Sequence, residues 1–464
     1  MTNIDTSATP SGPVSLRRRV LNAGAWTFAG YGLSIVIRFG SNLLLTRLLV
    51  PEMFGVMAIA IVVMIGLAMF SDLGLGQSVV RSERGGEPLF LNTAWAVQIL
   101  RGILLWLLAL AVSALLVIAN DIGMAPKGSV YADPILPWVI ALLSVSALFD
   151  GFSSTRGSEA RRNLNLRQIT QVEIASQVIG LFCLFAWVFF DRSIWALVAG
   201  TLGASLSKAV LTHVALPGHP NRWQWDRAAF DEIFGFGKWI FLASILGFLV
   251  GNGDRILLGG LVDADVLGVY SIAFGIFSSV EQIMARVVSG VAFPALSEIS
   301  RERRHDLKAG YYKFHGPVAA TAYFCAGVLM TSGQALIGLL YDPRYAEAGW
   351  MLQVLAVGLL AAPAQIAVQG FLALGLPQIH SKVLIVRLAG LFVALPLGFY
   401  LFGIPGALWG IAVSQLLPLI WMLSWNVRLK LFDLRKELLF LPLVVVGLGV
   451  GKLIAVAVGR LHGL

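Results

Sequence analysis

Only two cysteines occur in 464 residues, Cys183 and Cys325, too few and too far apart for a disulfide framework, and without CxxC spacing they make no zinc site. Both lie in apolar runs, where a free thiol behaves as a small hydrophobe. The six histidines are scattered without ligand spacing, and no GxSxG, HExxH or Walker loop occurs. Enzymatic chemistry therefore finds no foothold, and no metal or cofactor is expected. Charge is also scarce: Asp, Glu, Lys and Arg make up 13% of the chain, too little for a soluble two-domain enzyme of this length.

What fills the chain instead is apolar: 58% hydrophobic residues and a mean hydropathy of +0.81 place it in a bilayer. A formal net charge of +9 raises nucleic acid as a partner. The basic residues, however, sit in short loops between hydrophobic runs, the distribution that membrane orientation imposes, so no nucleic acid is expected. The opening MTNIDTSATPSGPVSL is rich in Ser, Thr and Pro and lacks the charge-then-apolar order of a cleavable signal, so residues 1–20 read as a disordered cytoplasmic tail ending near Arg17, Arg18 and Arg19.

Crossing about 30 Å of hydrocarbon takes roughly 20 apolar residues. Such windows fall at 22–46, 54–71, 89–118, 135–152, 169–190, 194–215, 239–260, 267–291, 316–339, 350–372, 384–402, 406–426 and 438–459. With the tail inside, 22 cations fall on the cytoplasmic side and five (Arg47, Lys127, Arg192, Arg344 and Arg460) on the other. That asymmetry supports the threading. The longest outer loop, Asn120 to Pro134, is too short for the catalytic loop of a membrane polymerase or ligase acting on lipid-linked sugars.

An internal repeat organises the helices. LLTRLLVPEMFGVMAIA, from Leu44, laid over LLGGLVDADVLGVYSIA, from Leu257, matches at seven positions with an offset of 213 residues, Gly55 over Gly268 and Ile59 over Ile272 among them. Six helices separate the copies, so both halves cross in the same direction. The expected fold is an all-α polytopic membrane protein of two six-helix bundles, 21–215 and 239–426, related by a pseudo-two-fold axis along the membrane normal. An amphipathic cytoplasmic linker (216–238) joins them, with Gly235 and Gly237 as a candidate hinge, and an extra membrane segment (427–464) follows.

Seven cations fall inside apolar segments: Arg38, Arg101, Lys208, Arg255, Arg286, Arg387 and Lys452. A cation at the centre of a membrane helix costs roughly 3 kcal/mol, so a group of them implies an interior that receives something anionic. Arg38 shares a helix face with Ser34 and Asn42, and Arg101 one with Gln98. Asn252 and Arg255 on the seventh helix and Arg286 on the eighth complete the candidate substrate site. Glu281 and Asp254 are the carboxylates placed to bind a coupling proton or sodium ion. Gln365 and nearby aromatics are candidate sugar contacts. Lys208 and Arg387 lie close enough to helix ends to snorkel, Asp150 and Glu173 to pair with Arg156, Arg161 or Arg162, and Lys452 has no companion.

The stretch GKWIFLASILGFLVGNGDRILLGGLVDADVLGVYSIAFGIF, followed by VVSGVAFPALSEIS, resembles the start of the second half of bacterial polysaccharide flippases. These form the Wzx-type oligosaccharidyl-lipid branch of the multidrug, oligosaccharidyl-lipid and polysaccharide exporter superfamily. The family pattern of DR, LG, LGxYxxA and PxLS is met by Asp254 and Arg255, Leu258 and Gly259, Leu267 to Ala273, and Pro294 to Ser297. LTRLLVPEMFGVMAIA, FSDLGLGQSVVR and SIWALVAG are similar to the same family and lean toward its colanic-acid or exopolysaccharide exporters. The resemblance spans residues 20 to 430. It implies a flippase of the bacterial inner membrane that moves a polyprenyl-pyrophosphate-linked oligosaccharide, in contact with membrane lipid, with polysaccharide polymerase and chain-length proteins as candidate partners. A lipid II flippase and a multidrug exporter of the same superfamily are the competing implications; a major-facilitator transporter lacks its basic signature in RSERGGEPLF. Family members have twelve or fourteen helices, so thirteen is a departure.

Overall fold

The computed structural model describes residues 16–71, 74–302 and 304–461. Most of the expected tail lies outside these, and helix begins at Leu16, inside the stretch assigned to the tail. The long helices are α1 (Leu16–Leu48), α2 (Pro51–Phe70), α3 (Pro88–Asp121), α4 (Leu136–Phe152), α5 (Leu166–Phe190), α6 (Trp195–Val214), α7 (Arg227–Leu261), α8 (Ala264–Val287), α9 (Leu307–Leu340), α10 (Ala348–Ala373), α11 (377–402), α12 (404–428) and α13 (Leu434–Arg460). Each matches one expected crossing. "Tail side" below means the face from which α1 starts, and "far side" the opposite one.

Among the described residues, ten helical stretches are long and apolar enough to cross a membrane unaided. Three further crossings complete the set. α4 bends by 58° into the short helix Arg156–Arg162. α7 is a 35-residue helix with Asp254 and Arg255 in its far-side half. α11 and α12 run on as one 52-residue helix except at Gly403, whose φ of 65° and ψ of −147° fold them back as a hairpin. The hairpin is tight: a Cβ on Gly398 would sit 2.2 Å from the Gly406 carbonyl oxygen. Small residues let membrane helices approach this closely where no water drives them together.

The thirteenth helix is bound in by the same means. Gly447 meets the Phe324 carbonyl and Gly451 the Val328 carbonyl, so α13 runs parallel to α9, from tail side to far side. The Thr331 hydroxyl donates to the Leu448 carbonyl at 3.1 Å. At the tail side, Lys308 pairs with Asp433 at 3.2 Å and holds its carboxyl below the ordinary range. The Tyr312 hydroxyl donates to Glu437 at 3.0 Å.

Of the amphipathic linker expected over 216–238, residues 227–238 are the opening of α7, a continuous 35-residue helix that includes Gly235 and Gly237. Asp226 caps it, accepting from the amides of Ala228 and Ala229 at 3.2 and 3.3 Å. Arg84 bonds the same carboxylate at 2.9 Å and Glu87 at 3.0 Å. Asn92 donates to Gln224 at 2.7 Å, and Thr93 accepts from the Asp226 amide at 3.0 Å. Ala229 and Ile233 are buried against Val79, Phe90 and Leu91. The linker and the foot of α7 are thus docked on the first half, while α7 higher up packs on α11 of the second.

The halves close on each other at the far side, where α2 crosses α8. A Cβ on Gly55 would lie 1.9 Å from the Ala264 carbonyl oxygen, and one on Gly268 1.8 Å from that of Pro51. Pro51 and Ala264 are also 213 residues apart, so each contact is the image of the other under the repeat. Ile59, Ala60, Ile272 and Ala273 are buried around the crossing. Beside it, the Tyr131 hydroxyl donates to the Ile256 carbonyl at 2.9 Å and the Tyr345 hydroxyl to that of Leu49 at 3.0 Å.

Two outcomes are expected. Gly55→Val or Gly268→Val prevents the crossing, so a cysteine at Ala60 in a cysteine-free background reacts faster with a membrane-impermeant maleimide added on the far side; unchanged labelling would show that the seal does not need the glycines. The Arg84 guanidinium holds the Asp226 carboxyl below its usual range. The stability from that pairing is complete above the ordinary carboxylate pKa of about 4 and fades as pH falls through the depressed value. Acidification should therefore speed hydrogen exchange of residues 216–230, and Asp226→Asn should give the faster rate already at neutral pH.

Candidate functional site

A cavity of about 870 Å³ lies within the first half, bounded by α2 to α6. Its wall runs from Ile61 and Leu105 inside the bundle to Arg161 and Leu216 at the tail side. Two of the expected site residues, Gln98 and Arg101, line it, and both also close helix ends. Arg101 donates to the Ala68 carbonyl at 2.7 Å and the Ser71 hydroxyl at 3.0 Å, which finishes α2. The Gln98 amide donates to the carbonyls of Asp150, Gly151 and Ser153 at 2.9, 3.1 and 2.9 Å, where α4 ends. Arg101 is therefore near the middle of its own long helix but level with the tail-side end of α2.

The remaining candidates lie elsewhere, on α1, α7 and α8, and none of them lines that cavity. Arg286 lays its guanidinium 3.4 Å from the centre of the Tyr31 ring, and the Tyr31 hydroxyl donates to Gln282 at 3.2 Å. Arg38 and Asn42 follow seven and eleven residues after Tyr31, which returns them to the same face of α1, the one turned toward α8. Arg38 is exposed, and Asn42 half-buried. Arg255 stands 4.1 Å from the centre of the Phe274 ring on α8, and its guanidinium donates to Asn252 at 3.3 Å. A guanidinium over an aromatic face is held by the ring quadrupole without losing its charge.

None of Arg38, Arg255 and Arg286 forms an ion pair among the described residues, whereas both nearby carboxylates are engaged. Asp254 is buried and accepts the Tyr270 hydroxyl of α8. Glu281 faces Arg387 at 3.9 Å, both half-buried. They line a second cavity of about 240 Å³ with Gln365, Gln369, His380 and Gln415. Arg387 is thus an intramembrane partner for Glu281 rather than a snorkelling residue. Ser34, expected beside Arg38, turns to α5 and donates to Gln177 at 2.8 Å.

The residues that sequence reasoning set aside are Asp150 and Lys208. Asp150 pairs with none of Arg156, Arg161 or Arg162: Arg156 bonds the backbone of the 213–219 turn, Arg162 that of 79–83, and Arg161 takes Glu173 at 3.3 Å. Asp150 and Lys208 both face the first cavity. The available signal was their depth: α4 and α6 cross in the same direction, and the two residues stand about equally far from the far-side ends. Lys452 is exposed on α13.

A family model described as "Polysaccharide biosynthesis protein" matches residues 44–350. Similar proteins include the teichuronic acid biosynthesis protein TuaB of Bacillus subtilis strain 168, 22% identical over 372 residues, 78% of this chain and 73% of that protein. The lipopolysaccharide biosynthesis protein WzxC of Escherichia coli K12 is 22% identical over 355 residues, 75% and 68% of the two chains. A putative O-antigen transporter of Shigella flexneri is 23% identical over 332 residues, 70% and 75%. Among solved structures, the lipid II flippase MurJ in an inward closed conformation superposes with a TM-score of 0.66 at 11% identity, covering 95% of this chain and 98% of that one. An inward-facing multidrug resistance transporter of the MATE family, within the MOP superfamily, gives 0.61 at 13% identity, covering 90% and 95%. These structures share the fold.

Arg101→Met removes the donor from the Ala68 carbonyl and the Ser71 hydroxyl. A loss of about 1.5–3 kcal/mol is expected for hydrogen bonds from a charged group. It should appear as a lower melting temperature in detergent; wild-type stability would leave Arg101 no part in closing α2.

Proposed function

The chain belongs to the polysaccharide biosynthesis protein family, and from that premise we propose that it flips polyprenyl-pyrophosphate-linked oligosaccharide repeat units by alternating access. It is a multi-pass membrane transporter of polysaccharide biosynthesis, and the products it serves are exopolysaccharide, O-antigen or capsule. The tail side is cytoplasmic in this reading, on the strength of the cation asymmetry, and the membrane is the bacterial inner membrane. Its work is translocation, with no catalytic step and no cofactor.

The observation that carries the reading is the set of arginines on α1, α7 and α8 whose charge no carboxylate neutralises. Arg38 lies ten residues, or about 15 Å, from the far-side end of α1, too deep to snorkel to that surface. Arg286 lies nearer the tail side on α8. A diphosphate suits this set, because each planar guanidinium fork donates paired hydrogen bonds to phosphate oxygens. Asn42 and Asn252 add amide contacts beside it. The prenyl chain stays in lipid at the gap between the halves, where α1 and α8 touch through Tyr31.

With the far side sealed at Gly55 and Gly268, the arrangement corresponds to the state that loads from the cytoplasm. Moving an anion outward gains about 2.3 kcal/mol per charge per 100 mV when the cytoplasm is negative, and the empty cationic site returns inward with the same field. Glu281 is the better candidate for a coupling proton or sodium ion, since it lines a cavity and its partner Arg387 is distant. Asp254, buried against Tyr270, serves as a fixed acceptor. A lipid II flippase would share the arginines; a multidrug exporter for cationic compounds needs a carboxylate-lined cavity, and here the intramembrane cations outnumber the carboxylates.

In a strain lacking this gene, variants Arg38→Ala and Arg286→Ala should each lower export by at least about tenfold, one lost charge-assisted contact. Lipid-linked saccharide should accumulate while protein level and melting temperature stay normal; wild-type export would remove that residue from the site. Glu281→Gln should abolish the response of transport in proteoliposomes to an imposed proton or sodium gradient, and an unaltered response would leave the membrane potential as the driving force.

A further inference from the structure

The charges of the first-half cavity differ in kind from those of the arginine set. Arg161 and Glu173 cancel each other at its tail-side rim. Deeper, Asp150 lies within electrostatic reach of both Lys208 and Arg101. The Asp150 side chain is accessible yet surrounded by protein on most sides, so it faces the cavity and not open surface. Neither Asp150 nor Lys208 makes a side-chain hydrogen bond or an ion pair among the described residues. An acceptor with several open lone-pair sites and a donor with three protons thus face one space, beside the hydroxyls of Ser146 and Thr201 and the amide of Gln77.

Asp150 weakens the hold that Lys208 and Arg101 could have on a diphosphate, and an apolar chain would leave the charges without partners. Sugar hydroxyls satisfy both, donating to Asp150 and accepting from Lys208. The volume, about 870 Å³, is that of a site for a compound of several rings. Resting on the flippase reading, we propose that the first-half cavity is the glycan subsite, in which Asp150 and Lys208 bind the hydroxyl-rich part of the substrate while the arginine set binds its diphosphate. The division gives the mixed-charge cavity and the arginine set separate parts of one substrate. Sugars entering from the cytoplasm meet Arg161 and Glu173 first, then the Asp150 and Lys208 pair.

The test uses the full chain in lipid nanodiscs with two probes. One is the lipid-linked saccharide fraction extracted from the deletion strain. The other is farnesyl diphosphate, which carries the charged group and a short prenyl chain but no sugar. Asp150→Asn and Lys208→Met should each weaken binding of the saccharide fraction by about tenfold. Both should leave farnesyl diphosphate binding at the wild-type value, which also certifies folding. Arg286→Ala should weaken both probes. If either cavity variant weakens both probes equally, or neither, the glycan assignment is overturned while the flippase reading stands. If the wild type binds neither probe, the flippase reading falls and this inference with it.

Discussion

Two backbone carbonyls pressed onto two glycines hold this molecule in the state described. At the crossing of α2 and α8, any side chain larger than hydrogen on Gly55 or Gly268 would overlap the opposing carbonyl oxygen. Packing of this closeness is the main attraction open to helices in a membrane, because lipid offers no hydrophobic force to drive them together. It brings the buried Ile59 and Ile272 together, and Tyr131 and Tyr345 tie the neighbouring segments into the same seal. Within the first half, a cavity is left toward the tail side. The crossing is also small and built from backbone, so it can separate without leaving charges stranded in hydrocarbon.

Around that seal the intramembrane charges sort into three environments. Arg255 of α7 and Arg286 of α8 rest on aromatic rings and an amide, which steady them without neutralising them, and Arg38 of α1 is exposed. Asp254 and Glu281 are taken up by Tyr270 and Arg387. Asp150 and Lys208 face a cavity together. Each environment suits a different ligand group, and a lipid-linked oligosaccharide presents a diphosphate, sugars and an apolar chain in one molecule.

Much of this was legible beforehand. The thirteen apolar windows became thirteen helices because the bilayer thickness sets helix length and leaves no other way to satisfy the backbone. The repeat was legible as well, since Gly55 and Gly268 occupy equivalent positions for an equivalent contact. Pairings across helices were not. Arg387 looked like a snorkelling residue because its partner Glu281 is 106 positions away, on another helix. Arg101 looked like a deep cation because α3 is longer than the membrane, whereas the guanidinium reaches the end of α2. The foot of α7 looked like a separate interfacial helix because its charges and aromatics match one; its docking on Arg84, Asn92 and Thr93 depends on residues more than a hundred positions earlier.

Composition and the order of apolar and charged residues were enough to establish a polytopic helical membrane protein and the positions of its helices. These follow from local properties: transfer free energy, helix periodicity and charge near helix ends. Which cation meets which carboxylate, which of them stays unneutralised, and where the cavities lie depended on how helices far apart in the chain come to touch. Those contacts are set by close approach of small residues across helices, and no local pattern encodes the partner on the other side.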